Sequence, residues 1–298
     1  MLPVVHHPHY QIPLRGPATD RMSKYGHLRE ILKQRGLLRG SYPAPTQASS
    51  GQLALAHDPA YVERVLSLTL SSQESRVIGL PNSPEVSKRV RLSSAGTLLA
   101  AWMALETGLA CNSAGGSHHA RHDAGAGFCV FNDVAVAAAN LLAQGVSGPI
   151  LVVDADVHQG DGTARIFADD ARVFTFSIHA AKNFPARKAV SDLDVALVDG
   201  TGDDAYLSAL EAGLEDAIRA SRPTLAFYNA GVDVWENDRL GRLGLTLDGI
   251  RARERLVLRT LRGKGIATCT VVGGGYGENA EIARRHAILF EEALALVR

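Results

Sequence analysis

Apolar residues along this chain come in two rhythms. Short continuous apolar runs at 149–154 (PILVVD), 172–178 (RVFTFSI), 224–228 (TLAFY) and 266–272 (IATCTVV) have the length and β-branched content of strands buried on both faces. Longer amphipathic stretches between them predict helices over 132–143, 203–220, 246–261 and from Ala280 to the C-terminus. Asp203 and Asp204 open one of these, where carboxylates meet free amides and the positive end of the helix dipole. Upstream, 3–5 reads as a first strand and 22–34, 59–66 and 88–106 as helices, while 108–111 is a further short apolar stretch. Pro43 and Pro45, among serines and threonines, mark 39–52 as a surface loop, and Pro81 and Pro84 mark another. Strands alternating with helices indicate an α/β protein with a mostly parallel sheet. No repeat and no long linker divides the chain, so 1–298 is expected to be a single domain.

Polar clusters fall where the predicted strands end. Gly115-Gly116-Ser117-His118-His119 follows the apolar stretch 108–111, and Asp154-Ala155-Asp156-Val157-His158 closes the run that starts at Pro149. Asn229-Ala230-Gly231-Val232-Asp233 and Gly273-Gly274-Gly275-Tyr276 close two more. In a parallel sheet these ends share one edge, where open α/β folds bind ligands. Asp154, Asp156 and His158 at i, i+2, i+4 point to one side of an extended chain. Carboxylate plus imidazole is a donor set for a first-row metal, and two ligands from this segment with Asp233 from another strand end make a three-ligand site with one position open to water. The same acidic pattern also serves to cap helices or to hold magnesium. Adjacent His118 and His119 can supply a general base and an electrostatic partner, each needing a carboxylate to fix its tautomer, with Asp154 and Asp161 as candidates. The glycines before Tyr276 lack the Lys-Ser/Thr of a phosphate loop, and a phenol there can donate to a developing oxyanion.

Composition narrows the setting. Lys+Arg and Asp+Glu both number 31, so no net field draws the chain to nucleic acid or to an anionic membrane. Cys111, Cys129 and Cys269 are too few and too scattered for a disulfide framework or a cysteine metal site. The start lacks a basic segment followed by an apolar one, and no apolar run reaches the roughly 18 residues of a membrane span, so a soluble cytoplasmic protein is expected. Cys129 reads as a buried neutral thiol, Trp102 as core and Trp235 as a border of the site. Glu236 and Asp238 read as solvated loop charges, and the basic run 251–264 as a wet helix face. His6, His7 and His9 could form a metal tract, but a strand end near a channel mouth is the plainer reading.

Taken in order, 115–120 (GGSHHA), 127–133 (GFCVFND), 154–163 (DADVHQGDGT), 229–233 (NAGVD) and 273–276 (GGGY) resemble the motif set of zinc-dependent histone deacetylases in the arginase/deacetylase superfamily. The segment 20–32 (DRMSKYGHLREIL) is similar to class IV deacetylases and their compact bacterial relatives. The resemblance implies a three-layer α/β/α fold of arginase-deacetylase type, with a parallel sheet of about eight strands. It implies that Asp156, His158 and Asp233 bind zinc, that His118 pairs with Asp154 and His119 with Asp161, and that Tyr276 faces the metal. Gly127 and Phe128 line a narrow channel for an acyl-lysine side chain, with Phe184 chosen as the opposing wall. A potassium ion held by Asp154, Ser177 and the backbone around Asp156 and His158 comes with the same resemblance.

The implied reaction removes an acyl group, acetyl or longer, from lysine. Zinc polarises the carbonyl and acidifies water, His119 takes the water's proton with His118 as electrostatic partner, and Tyr276 steadies the oxyanion. The substrate is an acyl-lysine protein or peptide, or an acylated small amine if the chain acts as an acetylpolyamine-type amidohydrolase. A non-catalytic acyl-lysine binding protein is the alternative of another class, which the complete His, Asp and Tyr set argues against. Gln159 stands where many relatives carry a further histidine that is not a ligand. A binuclear manganese site of the arginase kind wants more carboxylates than Asp156 and Asp233 supply. Zinc against ferrous iron, acyl length and oligomeric state are left open.

Overall fold

Seven strands, all parallel, form one sheet in the order β1-β2-β7-β6-β3-β4-β5. The computed structural model describes residues 1–12, 23–38 and 43–297. The strands are β1 (Val4–Val5), β2 (Leu109–Asn112), β3 (Ile150–Asp154), β4 (Val173–Ala180), β5 (Leu193–Leu197), β6 (Leu225–Asn229) and β7 (Ala267–Val271). The helices are α1 (Ser23–Gln34), α2 (Ser50–Leu53), α3 (Pro59–Leu66), α4 (Ser72–Ile78), α5 (Pro84–Thr107), α6 (Asp133–Ala143), α7 (Asp161–Ile166), α8 (Asp203–Ser221), α9 (Leu247–Gly263) and α10 (Asn279–Leu296). One helical layer has α5 on β2 and β7 with α6 beside it; the other runs α8, α9, α10, α1, with α8 against β3–β5. The expected three-layer α/β/α architecture is therefore present.

Burial explains why the strands read as they do. Every residue of β2, β3, β6 and β7 is buried, so these strands need apolar residues on both faces and appear as unbroken runs. β5 differs. It is the sheet's edge, half-buried with alternating exposure, and its LDVAL sequence offers no continuous run to detect. The sheet has seven strands among the described residues, one fewer than the eight expected, and no further strand lies beyond β1 or β5.

Helix starts follow local chemistry. α5 begins four residues before its predicted start because Pro84 is preset for the first helical position and Ser83 caps the Val86 amide. Within the predicted loop 39–52, Ser49 and Gln52 form a reciprocal capping box that starts α2; residues 39–42 lie outside the described residues, as do 20–22 of the class IV-like segment. No described helix is long and apolar enough to cross a membrane.

β3 is flanked by β4 on one side and β6 on the other, the place where the chain's winding reverses. The loops leaving β3 and β6 therefore open onto a shared crevice at the C-terminal edge.

Candidate active site

Asp154 is the last residue of β3, in register with Asn229 of β6 and Ser177 of β4. Past it the chain leaves the sheet, and the His158 amide donates to Asp156 Oδ1 at 3.0 Å. This turn brings His158 Nδ1 to 3.0 Å from Asp156 Oδ1 and 3.2 Å from Asp233 Oδ2. Asp156, His158 and Asp233 are all buried, and one ligand atom from each lies within 4.8 Å of the others. Among the described residues this is the one such cluster, so His6, His7 and His9 form no metal tract. His6 instead is buried with Nδ1 against Ser113 Oγ at 2.8 Å.

The donor set fits a divalent cation. Burial and the neighbouring Asp156 charge push Asp233 up to about 7. Burial also opposes the charged forms of Asp156 and His158, but the imidazoles of His118 and His158 hold Asp156 well below the usual carboxylate range, and the two carboxylates raise His158 to about 10. Two buried carboxylates this close favour a positive charge between them, which a divalent cation would supply. The surrounding backbone is cut to their size: a Cβ on Gly274 would lie 1.9 Å from Asp233 Oδ2 and 2.7 Å from Asp156 Oδ2. The Gly274 amide donates to Asp156 Oδ2 at 2.6 Å and the Val157 amide to Asp233 Oδ1 at 3.0 Å, so each carboxylate is aimed by a backbone bond.

Two histidine–carboxylate pairs stand beside this cluster. His118 Nδ1 donates to Asp154 Oδ2 at 2.6 Å, and His119 Nδ1 donates to Asp161 Oδ1 at 2.8 Å. Their rings are 4.1 Å apart. Burial disfavours a charged His118, yet Asp154 and Asp156 prevail and raise it to about 9. Burial and the His118 charge lower His119 to about 4. Environment therefore pushes the two rings in opposite directions, His118 toward the charged form and His119 toward the neutral one. The Tyr276 ring lies 5.9 Å from the His158 ring, and burial together with the Asp233 and Asp156 charges keeps its phenol protonated.

A cavity of about 290 Å³ lies beside these groups. His118, His119, Asp156 and Tyr276 line it, as do Gly127, Phe128 and Cys129. Gly127 and Phe128 both take left-handed backbone, φ +52° and +67°, and a Cβ on Gly127 would meet the His119 ring at 2.6 Å. The Phe128 ring lies 6.1 Å from that of Tyr276; the Phe184 ring stands edge-on to His119 at 4.8 Å and is 47% exposed. Cys129 is buried, and its burial pushes the thiol up to about 12, as a neutral packing residue requires. Ser177 lies next to Asp154 in the sheet but spends its hydroxyl on His179 Nδ1 at 3.0 Å, so potassium at Asp154, Asp156, His158 and Ser177 rests on the resemblance alone.

Other sequence expectations are corrected. Asp238 is no solvated loop charge: its carboxylate accepts from the amides of Tyr276 at 2.8 Å, Leu240 at 2.9 Å and Gly241 at 3.0 Å, anchoring the catalytic candidate's loop. Trp235 stacks under the Arg285 guanidinium at 4.0 Å rather than lining the cavity. In the basic run 251–264, Arg253 is buried, and Arg251 and Arg255 pair with Glu292 of α10.

Further residues build the site without having been singled out. Asp133 opens α6 and accepts from the Ser117 amide at 2.7 Å, the Gly116 amide at 3.3 Å and Thr97 Oγ1 at 2.7 Å, which pins the loop before His118. Asn183 Nδ2 donates to the Leu240 carbonyl at 2.7 Å beside His158. Lys24 and Arg89 also line the cavity, and Lys24 Nζ donates to the Gly273 carbonyl at 3.1 Å. Asp133 sits inside a motif quoted from the sequence; Asn183 and Arg89 carry no local signal.

Comparison with known proteins gives a consistent picture. A model of the histone deacetylase domain matches residues 18–292. A protein of Picosynechococcus sp. is 44% identical over 98% of both chains. Histone deacetylase 2 of Arabidopsis thaliana is 32% identical over 85% of this chain and 68% of its own. The crystal structure of the HDA15 HD domain superposes with a TM-score of 0.79 at 21% identity, covering 98% of this chain and 88% of that one.

Proposed function

Because the chain belongs to the histone deacetylase family of hydrolases, we propose that it uses zinc to cleave the amide between an acyl group and a lysine side chain, the span 1–298 acting as one catalytic domain. One observation carries this reading: Asp156, His158 and Asp233 form one buried cluster, and Asp156 lines a cavity that Tyr276 and the histidines of two histidine–carboxylate pairs also line. When bound by those three residues, zinc supplies Lewis-acid polarisation of the scissile carbonyl and acidifies water.

The protein's own side chains do the rest. Gly127 and Phe128 with Phe184 would flank the aliphatic stem of an acylated lysine. His119, its Nδ1 fixed on Asp161, keeps Nε2 for the proton of the attacking water. The water oxygen bonds to the carbonyl carbon, the carbon–nitrogen bond breaks, and His119 passes the proton to the leaving amine. His118, bound to Asp154 and 3.8 Å from Asp156 through Nε2, acts as the electrostatic partner. Tyr276 donates its phenol proton as a hydrogen bond to the oxyanion of the tetrahedral intermediate.

The test is a panel of acyl-lysine peptides with acetyl and longer chains, run beside N-acetylated polyamines on metal-defined enzyme. Chelator-sensitive turnover of acyl-lysine at higher kcat/KM than any polyamine supports the reading. Preference for polyamines moves the chain to small-molecule amidohydrolysis, and tight binding of acyl-lysine without turnover makes it a binding protein.

A further inference from the structure

Beneath the proposed metal ligands lies a buried ion pair that the reaction does not use. Arg253 and Glu254, consecutive on α9, have fully buried side chains. Arg253 Nη1 donates to two carbonyls, Ala155 at 2.9 Å and Gly231 at 2.6 Å. Ala155 immediately precedes Asp156 on the loop leaving β3, and Gly231 lies two residues before Asp233 on the loop leaving β6. One nitrogen therefore bridges the two strand-end loops that carry the carboxylates.

The rest of the network holds that nitrogen in place. Arg253 Nη2 donates to Glu254 Oε1 at 2.5 Å, and Glu254 in turn accepts from the Tyr228 hydroxyl of β6. The bridged loops are already in contact, since a Cβ on Gly231 would stand 2.4 Å from Asp156 Oδ2. A small change in their separation is thus a change in the distance between ligands. Burying a guanidinium and a carboxylate is unfavourable compared with apolar side chains of equal volume. Apolar groups, however, cannot tie two backbone carbonyls to a single point.

We infer that Arg253 is a positioning residue that fixes the spacing of the Asp156 and Asp233 loops and thereby sets the affinity of the metal site. This rests on the zinc-hydrolase reading above. The guanidinium touches neither substrate nor metal and acts only through the Ala155 and Gly231 carbonyls.

Zinc affinity of purified, metal-free protein, measured by competition with a chromophoric chelator, tests this on Arg253→Met and Arg253→Lys, with circular dichroism to establish that each is folded. Folded Arg253→Met should bind zinc about 10- to 100-fold more weakly than wild type, the range seen when outer-shell partners of metal ligands are removed. Arg253→Lys, which keeps a donor with shorter reach and no fork, should recover part of that loss. Packing alone would lower the melting temperature of metal-free protein and leave the zinc dissociation constant of the folded chain unchanged, and that result overturns the inference. If Arg253→Met does not fold, Arg253→Lys decides: weaker zinc binding supports the role and an unchanged constant overturns it. A wild-type chain that takes up no zinc overturns the parent reading and this one together, whereas unchanged affinity in the variants overturns this one alone.

Discussion

Tyr276 is where the proposed chemistry and the proposed metal binding can be separated, because its phenol lines the cavity while the Asp156, His158 and Asp233 cluster is complete without it. Tyr276→Phe should keep its zinc and lose about 10²–10³ in turnover, the usual cost of one oxyanion donor. Elemental analysis and kcat read the two effects, and an unchanged kcat removes the phenol from the mechanism. Much at this scale was legible. His118, His119, Asp154, Asp156, His158, Asp161, Asp233 and Tyr276 stand in short motifs at strand ends, and the fold brings them together. An extended chain does not account for the i, i+2, i+4 spacing: the strand stops at Asp154, and a side-chain-to-amide turn at Asp156 aims His158. Asp238 and Asn183 were illegible because their partners, the Tyr276 amide and the Leu240 carbonyl, are 38 and 57 residues away.

At the scale of elements, the glycine segment after β7 and the cap of α6 matter most. Gly274→Ala places a methyl on both Asp233 and Asp156, so zinc content should fall sharply while circular dichroism stays that of wild type; full zinc occupancy would show that the cradle is looser than it looks. The loop ahead of α6 is held by His57, whose Nδ1 donates to the Arg121 carbonyl at 2.8 Å and whose Nε2 accepts from the Asn132 amide at 3.0 Å. Both bonds together require the neutral ring, and burial lowers its pKa to about 4. Between pH 6.5 and 4 the unfolded chain therefore binds the extra proton, and stability falls as pH falls. His57 alone should remove about 2 kcal/mol between pH 7 and pH 5. Urea unfolding of wild type and His57→Gln at both values checks this: the variant should lose less on acidification, and an equal loss would assign the effect elsewhere. Element types were largely readable where burial is two-sided. β5 escaped because an edge strand needs an apolar residue only at alternate positions, and α7 because its six residues are too few for a helical period to emerge.

For the whole molecule, the parallel sheet explains why motifs scattered from residue 115 to 276 can act as one site. Strands β2, β3, β6 and β7 deliver their C-terminal ends to the same edge, so separation along the chain becomes proximity in space. A second consequence is that the Asp156, His158 and Asp233 cluster is drawn from two loops that Arg253 of α9 ties together through the Ala155 and Gly231 carbonyls. Asp156, His158 and Asp233 are proposed to hold one divalent cation on which hydrolysis depends. The most direct test is zinc titration of chelator-stripped wild-type protein during turnover of the best acyl-lysine peptide. Activity should rise from the background and level at one equivalent per chain; turnover that is already complete in the stripped protein, and indifferent to added zinc, would contradict it.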